Sequence, residues 1–212
     1  MRQIKAVIQY NFMGFYKKPK VILTFLLGFI LCFLLSSRIM PVIQAYKSPV
    51  QMLEPFLWTF GDTTAILLSS VLLLLLFSDL PVLSAITPYY LCRTTKKRWL
   101  FGQLFYVAAV SGIYTVFMLG ATMILCAKVG YPGNIWSNTA AMLAYSKLGE
   151  DLNVPSTVKV MESVTPYGCT AQVILLLFLY ILCLSFIVLA GNLLPGKNRG
   201  LVAGLLFCLY GF

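Results

Sequence analysis

An all-α, polytopic transmembrane bundle is the fold class this sequence predicts, and three observations carry that expectation. Apolar residues make up 60% of the 212-residue chain and charged residues 10%, with a mean hydropathy of +0.89, where a soluble domain is about one quarter charged. The apolar residues come in runs long enough to cross a bilayer, which takes ~20 residues of helix. The 16 Lys and Arg residues gather beside those runs, against only 6 acidic residues. One integral membrane domain over residues 1–212 follows, built from an N-terminal interfacial helix, four full spans and part of a fifth.

In residues 1–20, Ile4, Val7, Ile8, Phe12 and Phe15 recur at helical spacing and leave Arg2, Lys5 and Gln9 on another face. That pattern predicts an amphipathic helix lying on the membrane surface rather than a signal peptide, whose apolar core would be continuous. Lys17, Lys18, Pro19 and Lys20 end it. The first span covers about residues 21–38, VILTFLLGFILCFLLSS, with Arg38 long enough to snorkel to the far interface. Pro41, Pro49 and Pro55, with Lys47, Glu54, Trp58 and Asp62, mark residues 41–62 as a short external connection with an interfacial aromatic. A second span is expected over about 60–78 and a third over about 99–127, separated by a polar segment at 79–98. Residues 128–170 form the longest polar interval and read as an external loop, in which NTAAMLAYSKLGEDL has the composition of a short helix. The fourth span lies at about 171–190. The last segment, 200–212, holds 13 residues, about 20 Å of a ~30 Å hydrocarbon core.

Charge orients this arrangement. Arg2, Lys5, Lys17, Lys18 and Lys20 precede the first span, four cations lie between the second and third, and Lys197 and Arg199 follow the fourth. The other two connections are close to neutral. The positive-inside rule then puts the N-terminus, residues 78–98 and residues 191–199 in the cytoplasm of a cell membrane. The formal charge of +10 is explained by anionic lipid headgroups, at ~1 kcal/mol per basic residue near the surface. The cations sit in short clusters beside apolar runs, not on a polar domain with stacking aromatics, so no nucleic-acid partner is expected.

Several chemistries are disfavoured. Histidine is absent, which removes the usual zinc ligands and the His-dependent nucleophile pairs. Five of the six cysteines (Cys32, Cys92, Cys126, Cys183 and Cys208) fall in or at the edge of apolar segments, and Cys169 falls in the external loop; no disulfide framework or metal spacing emerges. GNLLPGKN, Gly191 to Asn198, approaches a phosphate-binding loop but has Asn198 at the Mg²⁺-ligating hydroxyl position and lies between two membrane segments. It reads as a helix stop and turn. No cofactor, no metal site and no catalytic residue is expected in this chain.

Three features remain. Asp79 is the one acid near the inner end of a span, and beside Pro81 it reads as a structural cap for the following segment or as an ion-pair partner for Lys or Arg, ahead of an ion-transport role. Gly196, Gly200 and Gly204, and Ala108 with Gly112, have the small-residue spacing that permits close helix contact in lipid. Between Asp79 and Trp99, Pro81, Pro88, Tyr89, Tyr90, Arg93, Lys96, Lys97 and Arg98 make a segment longer than a minimal hairpin needs. Its aromatic anchor and charged end have the chemistry of a docking element for an acidic partner, although topology alone would also produce the cations.

Phe77-Ser78-Asp79-Leu80-Pro81, then Arg93-Thr94-Thr95-Lys96-Lys97-Arg98-Trp99-Leu100-Phe101-Gly102-Gln103 with Tyr106 following, resembles a stretch in small bacterial permease subunits of type-2 ABC exporters. The basic amphipathic N-terminus leading through KKPK into a span is similar too. The resemblance is best over residues 77–106 and loose elsewhere. It implies a translocation path for a hydrophobic or amphipathic substrate (a peptide, antibiotic or lipid), a homo- or heterodimer with another permease, and a separate cytoplasmic ABC ATPase that hydrolyses the ATP. Tyr89, Tyr90, Arg93, Lys96, Lys97, Arg98 and Trp99 would then belong to the coupling segment that docks on the ATPase. The family fold has six spans, so the sequence reads as a fragment, or otherwise as a truncated gene or a chain ending in a half-helix. The rival is a non-transporting membrane protein, such as a bacteriocin immunity or sensor subunit, in which the cations serve orientation alone; an intramembrane enzyme is disfavoured by the missing histidines.

Overall fold

The computed structural model of the chain describes residues 2–81, 95–146, 149, 152, 154, 158–194 and 198–211. Helices dominate them: α1 (Arg2–Phe12), α2 (Pro19–Tyr46), α3 (Glu54–Gly61), α4 (Thr63–Phe77), α5 (Lys96–Cys126), α6 (Asn138–Tyr145), α7 (Val158–Ser163), α8 (Pro166–Leu193) and α9 (Arg199–Gly211), with a 3₁₀ turn at Phe15–Lys17. Two-residue strands β1 (Val50–Gln51) and β2 (Gly130–Tyr131) pair in parallel, Val50 opposite Gly130 and Gln51 opposite Tyr131.

Three helices, α2, α5 and α8, are each long and apolar enough to cross a membrane. Their outward faces keep large apolar residues, among them Ile22, Leu26, Phe33, Val116, Ile124, Leu175 and Leu176. The second span expected at 60–78 is instead a bent pair: α3 and α4 meet the same length and apolarity test only together, and they join at 83°. The break has a local cause. Asp62 leaves helical geometry, its carboxylate accepts the Thr64 N–H at 3.1 Å, and its carbonyl accepts the Ile66 N–H, so it caps a new helix instead of continuing the old one. The 13 residues of α9 are too few for a full span.

Two further sequence expectations differ from the structure. The first span, expected at 21–38, is a helix that continues through Pro41 to Tyr46. Proline removes one backbone donor, but Ile39, Val42 and Ile43 on this extension are buried, and that apolar face holds the helix on course. Residues 41–62, read as an external connection with an interfacial tryptophan, contain the buried α3, and Trp58 lies in a core with Ile39, Ile43, Val50, Ala140, Leu143 and Val154.

The chain divides into two compact units, residues 1–25, 70–114 and 178–212, and residues 26–69 and 115–177. In the first, α1 lies against the start of α5. A Cβ on Gly102 would fall 2.6 Å from Val7 Cγ1, and the Phe12 ring meets Tyr106 edge-on with centroids 4.9 Å apart. The apolar face predicted to lie on the bilayer is therefore covered in part by protein. Also in this unit, α9 packs through its glycines: a Cβ on Gly204 would collide with Leu74 of α4 and Val188 of α8, and one on Gly200 with the Val188 carbonyl. Gly196 lies outside the described residues. Ser70 of α4 and Tyr180 of α8 share a 2.7 Å hydrogen bond.

In the second unit, β1, β2, α3, α6 and α7 occupy the two intervals read as external connections. Val50 N–H bonds the Val129 carbonyl and Met52 N–H the Tyr131 carbonyl, while the Trp136 indole N–H reaches the Val164 carbonyl at 2.9 Å. Tyr145 of α6 donates to Glu162 of α7 at 3.1 Å, a bond that raises the phenol's pKa above its ordinary value.

A Gly204→Leu change should lower stability by about 1–3 kcal/mol, the usual cost of overpacking. Gly120→Leu, where a Cβ meets nothing within 4 Å, should not. Melting of the two variants in detergent micelles compares them directly, and equal melting temperatures would dismiss α9 packing through Gly204.

Candidate functional site

The first unit holds nearly all of the charge imbalance. Counting along the sequence, 11 of the 16 Lys and Arg residues and only one of the 6 acids, Asp79, fall in it; the second unit has 5 of each. The net +10 therefore belongs wholly to the first unit, and the second is neutral by the same count.

Within that unit the single acid is paired. Lys20 Nζ, in the first turn of α2, lies 2.6 Å from Asp79 Oδ1 and donates to Ser78 Oγ at 2.9 Å. Ser78 in turn donates to the Leu75 carbonyl, closing off the end of α4. Both charged side chains are about half exposed, 42% and 56%, so the pair contributes at most ~1 kcal/mol. Of the two roles expected for Asp79, the pairing is present; the segment it would cap, residues 82–94, lies outside the described residues. One residue further on, the buried Leu80 offers its carbonyl to Asn192 Nδ2 at 2.6 Å, and Asn192 Oδ1 accepts the Gly200 N–H at 3.0 Å.

Tyr89, Tyr90 and Arg93 lie outside the described residues. The other expected docking residues open α5. Thr95 stands before the helix, its carbonyl accepting the Trp99 N–H at 3.1 Å and its hydroxyl within 3.5 Å of the Arg98 N–H. Lys96, Lys97 and Arg98 follow, all exposed, with Trp99 half-buried. No acidic residue stands in this first turn. Cations at the positive end of a helix dipole cost ~0.3–1 kcal/mol each, so α5 pays for its sequence here, and an anionic surface would relieve the cost. Trp99 leads onto the packed face formed by Gly102, Gln103 and Tyr106, which carries α1.

Sequence reasoning missed three buried polar groups. Asn11 of α1 and Gln103 of α5 are 2% and 0% exposed, and Asn11 Nδ2 and both polar atoms of the Gln103 amide have no hydrogen-bond partner among the described residues. Glu54, read as part of a loop, is fully buried. Its Oε1 accepts the Ser137 N–H at 2.8 Å, and its Oε2 accepts the Ser137 hydroxyl at 2.6 Å and the Gln51 N–H at 3.2 Å. Ser137 Oγ is also the N-cap of α6, taking the Ala140 N–H at 3.0 Å. Gln51 completes the network: its Oε1 accepts from Leu53 and Glu54 N–H, and its Nε2 donates to the Gly133 carbonyl. Glu54 thus ties β1 and α3 to the start of α6 with every contact a donor aimed at the carboxylate. A serine before NTAAML is a visible cap signal; its pairing with an acid 83 residues away is not.

No groups of three or more His, Cys, Asp or Glu side chains that could hold a metal occur among the described residues. Comparison with protein-family models, curated proteins and solved structures returned no match. The class the fold itself defines is a helical chain with, among the described residues, three helices long and apolar enough to span a membrane and a charge imbalance confined to one unit.

Two substitutions separate the acids. Glu54→Ala strands the buried Ser137 and Gln51 donors and should cost about 2–3 kcal/mol, a fall of several degrees in the melting temperature. Asp79→Asn removes a half-exposed pair and should move it by no more than about 2–3 °C. Equal shifts in the two variants would show that burial does not set their weights.

Proposed function

We propose that this chain is a membrane-spanning permease subunit of a type-2 ABC exporter. It dimerises with itself or with another permease, forms a path for a hydrophobic or amphipathic substrate such as a peptide, antibiotic or lipid, and is driven by a separate cytoplasmic ATPase. Its N-terminus lies in the cytoplasm, because the positive-inside rule assigns that side to the cation-rich segments.

The observation that carries the reading is the run of exposed cations, Lys96 to Arg98, at the start of a 31-residue helix with no acid in its first turn. It directly follows the 79–95 segment, in the unit that holds the whole net charge. Local helix energetics disfavour these residues where they stand, and orientation of the chain needs positive charge on this side but not on a helix terminus. A cleft with acidic walls on a partner gives them a function there. The resemblance of residues 77–81 and 93–106 to the exporter pattern supports the same reading. In this reading ATP-driven closure of the motors presses on residues 79–98 and tilts the helices on either side.

Co-purification of the full chain with the ABC ATPase encoded beside it tests the reading. The wild-type chain should retain the ATPase on an affinity column, and a variant with Arg93, Lys96, Lys97 and Arg98 all changed to Ser should lose it at physiological salt while keeping its topology. Undiminished binding by that variant would remove the docking role, and failure of the wild type to retain any ATPase would favour the non-transporting immunity or sensor reading.

A further inference from the structure

We propose that Asn192 is a positioning residue that fastens the entry of the cytoplasmic segment to α8 and α9, so that movement of that segment is transmitted to both helices. The role in transmission rests on the permease reading above; the fastening itself does not.

Asn192 stands one residue from the C-terminal end of α8. Its two polar ends point at different parts of the chain: Nδ2 to the Leu80 carbonyl, 112 residues away, at 2.6 Å, and Oδ1 to the Gly200 N–H, on the second residue of α9, at 3.0 Å. Those partners determine the orientation of the amide, since a carbonyl can only accept and a backbone N–H can only donate. The bond to Gly200 also fills a need, because N–H groups in the first turn of a helix have no partner within it.

The glycines are what allow the approach. A Cβ on Gly200 would collide with the Val188 carbonyl and with the Asn192 amide itself, and one on Gly191 would lie 2.6 Å from Gly200 Cα. The ends of α8 and α9 are thus drawn together at Gly191 and Gly200, with the Asn192 side chain lodged beside them. Of the periodic small residues noted in the sequence, Gly200 serves this contact, and the seam has a polar function in addition to packing.

Residues 78–80 are consequently held from two sides. Lys20 of α2 holds Ser78 and Asp79, and Asn192 holds Leu80. The two attachments differ in strength. The Lys20–Asp79 pair is about half exposed, and water can replace either partner at little cost. The Leu80 carbonyl belongs to a buried residue, and a desolvated carbonyl that loses its donor is costly to leave unpaired. A displacement of the segment beginning at Pro81 therefore breaks the ion pair first and pulls on α8 and α9 through Asn192. Chain connectivity alone would pass such a displacement only to α4 and α5.

Two variants separate the ends of the amide. Asn192→Asp keeps an acceptor for Gly200 but turns an acceptor toward the Leu80 carbonyl, and Asn192→Ala loses both bonds. In the full chain, hydrogen exchange at the Gly200 amide should speed up at least tenfold in Asn192→Ala and stay near wild type in Asn192→Asp, while residues 78–80 exchange faster in both. Unchanged exchange at Gly200 in the alanine variant would overturn the fastening. With the ATPase bound, trapping by ADP and vanadate should alter exchange over residues 199–203 in the wild type. That response should be lost in Asn192→Asp and recovered at least in part in Asn192→Gln, which restores both ends of the amide, with complex assembly unaffected throughout. A full vanadate response at 199–203 in Asn192→Asp would overturn the transmission role. If no ATPase joins the wild-type chain, the permease reading falls and the transmission role with it, and the exchange at Gly200 still decides the fastening.

Discussion

A backbone amide in hydrocarbon has no water to bond, so every N–H and C=O in a spanning segment must find its partner within the chain. Most of the architecture follows from that constraint. Long stretches can only be helix, and the hydroxyls that interrupt them turn back on their own turn: Thr24 bonds the Lys20 carbonyl, Ser111 that of Val107, and Thr170 that of Pro166. Such bonds let a polar side chain sit in an apolar helix without an orphaned group. Among the described residues strand pairing is confined to two residues per strand, and both strands lie in connecting intervals where side chains and neighbouring loops complete the bonding. Helices that approach closely do so at glycines, as α1 does on Gly102 and α9 at Gly200 and Gly204.

The same constraint explains why so few acids matter so differently. Asp79 and Glu54 each answer a local surplus of donors. Asp79 does so at a wet edge, where Lys20 is its partner and either could be replaced by water. Glu54 does so with no exposed surface, and its three donors come from two segments far apart in the sequence, at Gln51 and at Ser137. A surface pair adjusts a connection; a buried carboxylate with all its donors in place determines which segments must be together.

Much of this was legible beforehand where periodicity or composition acts along one segment. The apolar runs predicted the long helices, the α1 face predicted Val7 and Phe12 on one side, and GNLLPGKN predicted the stop that ends α8. Legibility failed where one segment answers another. Pro41 looked like an end, because the burial of Ile39, Val42 and Ile43 that keeps α2 going depends on residues a hundred positions away. Residues 54–61 looked like a loop, because an acid and a proline near the start of an apolar stretch are equally the start of a buried helix once Ser137 supplies donors. Asn192 carried no signal at all: one asparagine after a membrane helix is an ordinary stop. The docking residues were legible only in part, since composition exposes the cations of 96–98 but not the surface that answers them.

The pairing of Glu54 with Ser137 also sets a schedule for biogenesis. The two residues are 83 positions apart, and at ~5–20 residues per second of synthesis the carboxylate emerges on the order of ten seconds before the two donors of Ser137 exist. Throughout that interval α3 carries a carboxylate with only its Gln51 donor in place, and a bilayer accepts such a charge only at a cost of ~2.5–3.5 kcal/mol. It must wait in water, or in the hydrated mouth of the insertion machinery, until residue 137 arrives. The apolar Pro55–Phe60 stretch beside it waits for the same time.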